Sequence, residues 1–329
     1  METLEGGELC FPQLLNTSCR KPRPPRSEAM LIYILLSSIS LLTMVLNLLV
    51  IISISHYRQL QTPTNLLLLS LAVSDLLVGL LMPAEIFLKG ACWFLGDFMC
   101  AMSLYSITII TSASAGNMVL ISVDRYVAIC DPLRYPTKIT QRRVKVFLCL
   151  CWVCSVFYSG LLLQDHLGQP GRYNSCYGEC VLVINYIAGA VDLVFTFIGV
   201  ITVIIVLYMR VFVVAVSQAR AMRSHIVAVT LQRSVTVTAK KSERKAARTL
   251  GIVVVVFLIC FCPYYCVSLT SQDILTSVSF EAFVVCLFYV NSCLNPVIYA
   301  FFYPWFRKSV KRIVTLQILQ PDSCEANML

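Results

Sequence analysis

Residues 182–212 read LVINYIAGAVDLVFTFIGVITVIIVLYMRVF, 31 residues that hold one acid, Asp192, and one base, Arg210. As a helix rising 1.5 Å per residue this run is ~46 Å long, enough to cross the ~30 Å hydrocarbon core of a bilayer. Six more runs share its texture, at roughly 30–55, 64–88, 97–126, 146–164, 249–270 and 279–301. Across the 329 residues 58% are hydrophobic and 13% charged, and the mean hydropathy is +0.79, far too apolar for a soluble chain of this length. Unpaired backbone groups in lipid cost several kcal/mol, and the runs are too long and too continuously apolar for barrel strands. The sequence therefore predicts an all-α, seven-transmembrane helix bundle.

Residues 1–29 read as an N-terminal tail, 30–301 as the bundle, and 302–329 as a short amphipathic membrane-surface helix and tail. In Trp305-Phe306-Arg307-Lys308-Ser309-Val310-Lys311-Arg312-Ile313-Val314 apolar and basic residues recur at helical spacing. The first run follows a polar, Pro-rich tail without a small-residue cleavage site, so it reads as a retained helix rather than a signal peptide. Of 26 Lys and Arg, 20 fall on the side of the tail after the seventh run and 6 on the other, which orients the N-terminus outward. Four of those six, Arg20, Lys21, Arg23 and Arg26, precede the first run and argue the other way. The net charge of +9 then reflects topology and anionic lipid, with no call for nucleic acid. Asn16-Thr17-Ser18 is a glycosylation sequon on the outer side, and Cys10, Cys19, Cys92, Cys100, Cys176 and Cys180 lie where disulfides persist. The ten other cysteines read as packing residues.

Ionisable groups within spans cost at least ~2.5 kcal/mol and are functional candidates by default. Asp75 lies in the second run, Asp124-Arg125-Tyr126 closes the third, and Asp192 lies in the outer half of the fifth. Asn47, Ser114, Asn291, Ser292 and Asn295 are further polar groups at membrane depth. If Ser114, Asn291 and Asn295 converge on Asp75 they form a hydrated site for a sodium ion; the alternative, preferred for Asn47, is an interhelical hydrogen-bond network. Pro263 and Pro296 each remove a backbone donor and are expected to kink their helices, giving the bundle two packings of similar energy.

Asn47, Asp75, Asp124-Arg125-Tyr126, Trp152, Pro263 and Asn295-Pro296-Val297-Ile298-Tyr299 fall in the order seen in rhodopsin-like receptors, which the chain resembles over nearly its whole length. The stretch Asn291-Ser292-Cys293-Leu294-Asn295-Pro296-Val297-Ile298-Tyr299-Ala300-Phe301-Phe302-Tyr303-Pro304-Trp305-Phe306 resembles the fingerprint of the trace-amine-associated receptors, mostly olfactory amine detectors. So do Gln61-Thr62-Pro63-Thr64-Asn65 and Ala246-Ala247-Arg248-Thr249-Leu250-Gly251.

That resemblance implies a plasma-membrane receptor that signals through a heterotrimeric G protein, of the stimulatory or olfactory kind that raises cAMP, with arrestin and receptor kinase as further partners. By the same resemblance Arg125 pairs with Glu243 in the resting state, and Tyr208 and Tyr299 brace the active one. Cys100 and Cys180 resemble the pair joining the third helix to the second outer loop. Cys176 resembles a loop cysteine that ties down the N-tail, through Cys10 or, as the alternative, Cys19. The chain departs from the family at Phe261, where a tryptophan is usual, and at Val200, where a helix 5 proline is usual, so a bulge there is not assured.

The position that carries the amine-binding aspartate in most relatives is Ile107, which has no charge to offer. Asp192 is the substitute, as in the subset of the family that carries its acid on helix 5. With Phe195, Thr196 and Gly199 it shares one face at i, i+3, i+4 and i+7. An ammonium arriving there relieves a stranded carboxylate through a charge-assisted hydrogen bond. Tyr264, Tyr265 and Tyr289 are expected to wall the pocket by cation–π contact, ordinary helix packing being the alternative for each. Phe261 forms its floor, and Thr108, Thr111 and Ser112 lie near the ligand's far end. Glu85, Glu179 and Glu281 are candidates for a second ammonium. A light receptor would need a lysine at Tyr289, and a transporter would show repeats and broken helix pairs. Neither pattern is present, and no nucleophile arrangement, metal triad or phosphate loop suggests an enzyme. A receptor for a non-amine ligand is the remaining rival.

Overall fold

The computed structural model describes residues 9–14, 16–20, 26–90, 92–226, 252, 255–263, 265 and 278–328. The first four spans are Arg26–His56, Pro63–Gly90, Gly96–Cys130 and Gln141–Leu162. The fifth comprises an α-helix Tyr186–Asp192, a π-helical stretch Leu193–Gly199 and an α-helix Val200–Ile226. Residues 255–263, in the predicted sixth run, are helical, and the seventh span is Val278–Phe302. Local chemistry sets several starts. Pro63 takes the first helical position, where its missing donor is harmless. Thr140 caps the fourth span by accepting from the Arg143 amide, and Asn185 caps the fifth by accepting from that of Ile187.

The second span is more than half buried among its neighbours, whereas little of the fifth is buried among the described residues. Leu31, Leu41, Leu42, Phe157, Leu161 and Phe212 all point outward, a belt that hydrocarbon solvates and water would not. Packing in lipid depends on close approach and polar links rather than on expelling water. Two such links answer the prolines. Pro83 and Pro296 lack the amide that would bond the carbonyl four residues back. Those carbonyls, of Gly79 and Ser292, accept instead from the first span, from Ser40 Oγ at 2.8 Å and from Asn47 Nδ2 at 3.0 Å. Trp152 Nε1 donates to Ser70 Oγ (3.1 Å), which donates to Asn117 Oδ1 (3.0 Å), joining the fourth, second and third spans.

Gly116 shows how close the third and fourth spans come, since a Cβ added there would sit 2.4 Å from Cys151 Sγ. Gly116→Ala should therefore lower thermal stability by about 1–3 kcal/mol. The double variant with Cys151→Ala should recover most of that loss in a thermal-shift measurement in detergent.

At the N-tail end three disulfides form, and one expected pairing is corrected. Cys100 and Cys180 pair as the resemblance implied (Cα–Cα 5.7 Å), but Cys176 joins Cys19 (5.0 Å) rather than Cys10, which joins Cys92 (5.4 Å). The tail decides this by folding back on itself and lying along the loop. Cys10 N donates to Cys19 O, Cys19 N to Tyr177 O and Tyr177 N to Thr17 O, so Cys19 lies beside Tyr177 and within reach of Cys176. Cys10, across the turn, lies over Gly178, whose carbonyl accepts from Trp93 N, next to Cys92. Gly178 has φ +100°, and a Cβ there would meet Phe11 at 2.9 Å, so glycine suits both its backbone and its neighbours.

At the other end the predicted amphipathic helix is Pro304–Val314, turned 103° from the seventh span. Trp305 and Phe306 are buried in the same apolar cluster as Val50, Ile54 and Tyr57, and Ser309 Oγ donates to Ser53 Oγ at 2.6 Å. The following segment folds back on Arg58–Leu60. Met328 is 1% exposed, its amide donates to Gln59 Oε1 (3.1 Å), and Glu325 meets Arg58 (3.1 Å).

Candidate functional site

Asp192 is partly buried at the junction where the fifth span changes from α- to π-helix. Tyr158, on the fourth span, donates to its Oδ1 at 2.5 Å. Thr196 Oγ1 donates to the Asp192 carbonyl at 2.6 Å and approaches Oδ1 at 3.3 Å; Tyr265 Oη lies 3.1 Å from the same hydroxyl. Among the described residues no cation pairs with this carboxylate and its Oδ2 takes no hydrogen bond.

Several expectations meet here and some do not. Thr196 and Tyr265 join Asp192, but Phe195 is 68% exposed and faces away, which corrects its place in the site. The cause is the π-helical stretch: spacing of i+3 and i+4 marks one face only in a regular α-helix, and the extra residue per turn rotates Phe195 outward. Phe197 is instead the inward aromatic, stacked on Tyr265 with ring centroids 4.3 Å apart. The same stretch corrects the doubt at Val200, because the helix bulges just before it without a proline.

Phe261 is buried, stacked on Phe257 at 4.3 Å and 4.8 Å from Phe288. Tyr289 packs among Leu36, Ile39, Val78, Met82, Ile110 and Cys286 rather than against Asp192. Ile107 is partly buried and accepts from Thr111 Oγ1 at its carbonyl; Thr108 Oγ1 donates in the same way to Leu104 O. Glu179 is held by the amide and hydroxyl of Ser175, both at 2.7 Å. Tyr264 and Glu243 lie outside the described residues, as do the side chains of Glu85 and Glu281. Tyr158 was not legible in the sequence, where nothing distinguishes it from other tyrosines in apolar runs.

At membrane depth Asp75 is wholly buried and accepts from Asn295 Nδ2 at 2.8 Å. Among the described residues, Asp75 Oδ1, Asn295 Oδ1 and Asn47 Oδ1 are buried oxygens that take no hydrogen bond. Ser114 Oγ donates to Ser74 Oγ (2.9 Å) in the same region, and Asn291 is 5% exposed.

At the far end Arg125 is clasped by its neighbour: Nε donates to Asp124 Oδ2 at 2.9 Å and Nη2 donates to Thr64 Oγ1. Asp124 is 2% exposed and also accepts from Thr64 (3.0 Å) and Tyr135 (2.8 Å). Burial, then the Asp124 carboxylate, pushes the Tyr135 phenol up, so it stays a donor. In the loop before it, the hydrogen bond from Lys138 holds the Asp131 carboxyl below the usual carboxylate range. Tyr126 is partly buried, and the hydroxyls of Tyr208 and Tyr299 are buried with no hydrogen-bond partner among the described residues. Thr64 and Tyr135 are members of this lock that sequence reading did not single out.

An apolar helical bundle that holds Asp192 within its fifth span and a clasped arginine at the end of its third is that of a multi-pass membrane protein. Residues 46–299 match the family described as 7 transmembrane receptor (rhodopsin family). The chain is 38% identical to trace amine-associated receptor 13c of Danio rerio over 98% of its own length and 96% of that protein's. It is 34% identical to trace amine-associated receptor 4 of Mus musculus (98% and 95% covered) and 36% identical to trace amine-associated receptor 5 of Rattus norvegicus (95% and 94%). The chain belongs to the rhodopsin family of seven-transmembrane receptors and, within it, to the trace amine-associated receptors. It is a multi-pass membrane protein of a receptor family and not an enzyme.

Proposed function

We propose that this chain is a plasma-membrane receptor for small alkyl or aryl amines, probed from outside through Asp192 and read from inside through Arg125. The observation that carries the reading is a carboxylate in the fifth span that has a phenol donor and, among the described residues, no cation. A protonated amine supplies the missing charge, and Ile107 explains why the third span does not. The names of its relatives point the same way. The N-tail with its sequon at Asn16 then faces outward and the Arg125 end meets a heterotrimeric G protein, raising cAMP in an olfactory neuron. Arrestin and a receptor kinase follow from the same reading, and the basic helix Pro304–Val314 rests on anionic lipid.

The test is a cAMP reporter in cells given an amine panel, with Asp192→Asn beside the parent receptor. Loss of response with surface expression intact is the expected result. An Asp192→Asn receptor as sensitive as its parent sinks the amine site and favours a non-amine ligand.

The unpartnered buried oxygens of Asp75 and Asn295 fit a sodium ion, with Ser114 and Asn291 nearby. Sodium in the resting packing would oppose activation. Raising sodium at constant ionic strength should weaken amine potency severalfold in membranes, and Asp75→Asn should remove that dependence.

A further inference from the structure

We infer that Tyr158 is the positioning residue of the amine site and sets its selectivity for ammonium over guanidinium and amidinium groups. This rests on the reading of Asp192 as the amine's counter-charge. Thr196 has one hydroxyl proton, committed at 2.6 Å to the Asp192 carbonyl, so the carboxylate's strong donor is Tyr158. The Tyr158 hydroxyl has no other acceptor among the described residues. A phenol at 2.5 Å from Oδ1 fixes the rotamer of Asp192, and with the Thr196 hydroxyl 3.3 Å from the same oxygen both sides of Oδ1 are taken up. Oδ2 is left open.

One open oxygen suits some cations and not others. An ammonium is a compact charge that bonds through a single N–H, whereas a guanidinium gains its advantage by gripping both carboxylate oxygens at once. With Oδ1 held by Tyr158 and crowded by Thr196 the two-pronged grip is blocked, and the planar cation is left with one bond and an unmet donor, which costs it affinity. Tyr158, a neutral side chain, thus selects the headgroup by taking one oxygen away.

The experiment compares matched probes, hexylamine with hexylguanidine and benzylamine with benzylguanidine, on the full receptor in cells. The parent should prefer each amine at least ~10-fold over its guanidine. Tyr158→Phe keeps the ring, frees Oδ1 and should shift that ratio ~10-fold or more toward guanidine, while a merely structural tyrosine would lower both responses together. Tyr158→His retains a donor and should keep the parent's preference. A Tyr158→Phe receptor with an unchanged ratio overturns the inference; if that variant fails to reach the surface, a parent receptor that answers both headgroups equally overturns it instead. Asp192→Asn separates the two layers. Its retained amine response would sink the amine site, whereas its loss alongside an unchanged Tyr158→Phe ratio sinks only the role of Tyr158.

Discussion

Asp192→Asn is expected to weaken amine potency by roughly 30-fold to several thousand-fold, the equivalent of about 2–5 kcal/mol for removing one partner of a desolvated charge pair. The substitution changes little else. Asparagine has the same shape, and its carbonyl oxygen can still accept from Tyr158, so the contact between the fourth and fifth spans survives. The ligand-free variant should be as thermostable as the parent or more so, because a carboxylate without a counter-charge carries a desolvation cost that the amide lacks. The two measurements together are diagnostic. A structural carboxylate would lose stability with no selective loss of amine response, whereas a ligand-binding one loses the response and keeps its fold.

Removing the Cys100–Cys180 bridge should cost about 2–5 kcal/mol and deplete the receptor from the cell surface. It closes a loop across 80 residues and pins the loop before the fifth span to the start of the third, so it governs how the Asp192 region sits over the bundle. Cys10→Ser should be milder, since Cys19–Cys176 still ties the tail to the same loop. That variant also tests the pairing. Alkylation followed by peptide mass spectrometry should find a free thiol at Cys92 and none at Cys176. A free Cys176 in Cys10→Ser would restore the pairing first expected from the family resemblance.

How far the site could be read in advance differs residue by residue. Asp192 stood out because a charge in a 31-residue apolar run has to be explained wherever it points. Phe195 turns away from the site because a period of 3.6 does not hold through a stretch that is π-helical, and no residue there announces the change. Tyr158 lies 34 residues from Asp192, and no local pattern encodes a meeting across two spans. The cysteines were divided between inner and outer sets by topology, yet partners depend on which loop the tail lies along, a matter of backbone hydrogen bonds between distant strands of chain.

By itself the sequence determined the solvent of this protein, its helical class, the places where charge sits against the rule of lipid, and that Pro263 and Pro296 each remove a backbone donor within a span. Those follow from composition and from periods of a few residues, which short-range sterics and hydration govern. Tertiary structure alone decided that Ser40 and Asn47 are the donors for Pro83 and Pro296, that Cys19 takes Cys176, and that Tyr158 holds Asp192. Each of these is a bond between groups far apart in the chain, whose meeting depends on how whole helices rotate and pack, and packing sums many weak contacts that no single stretch contains.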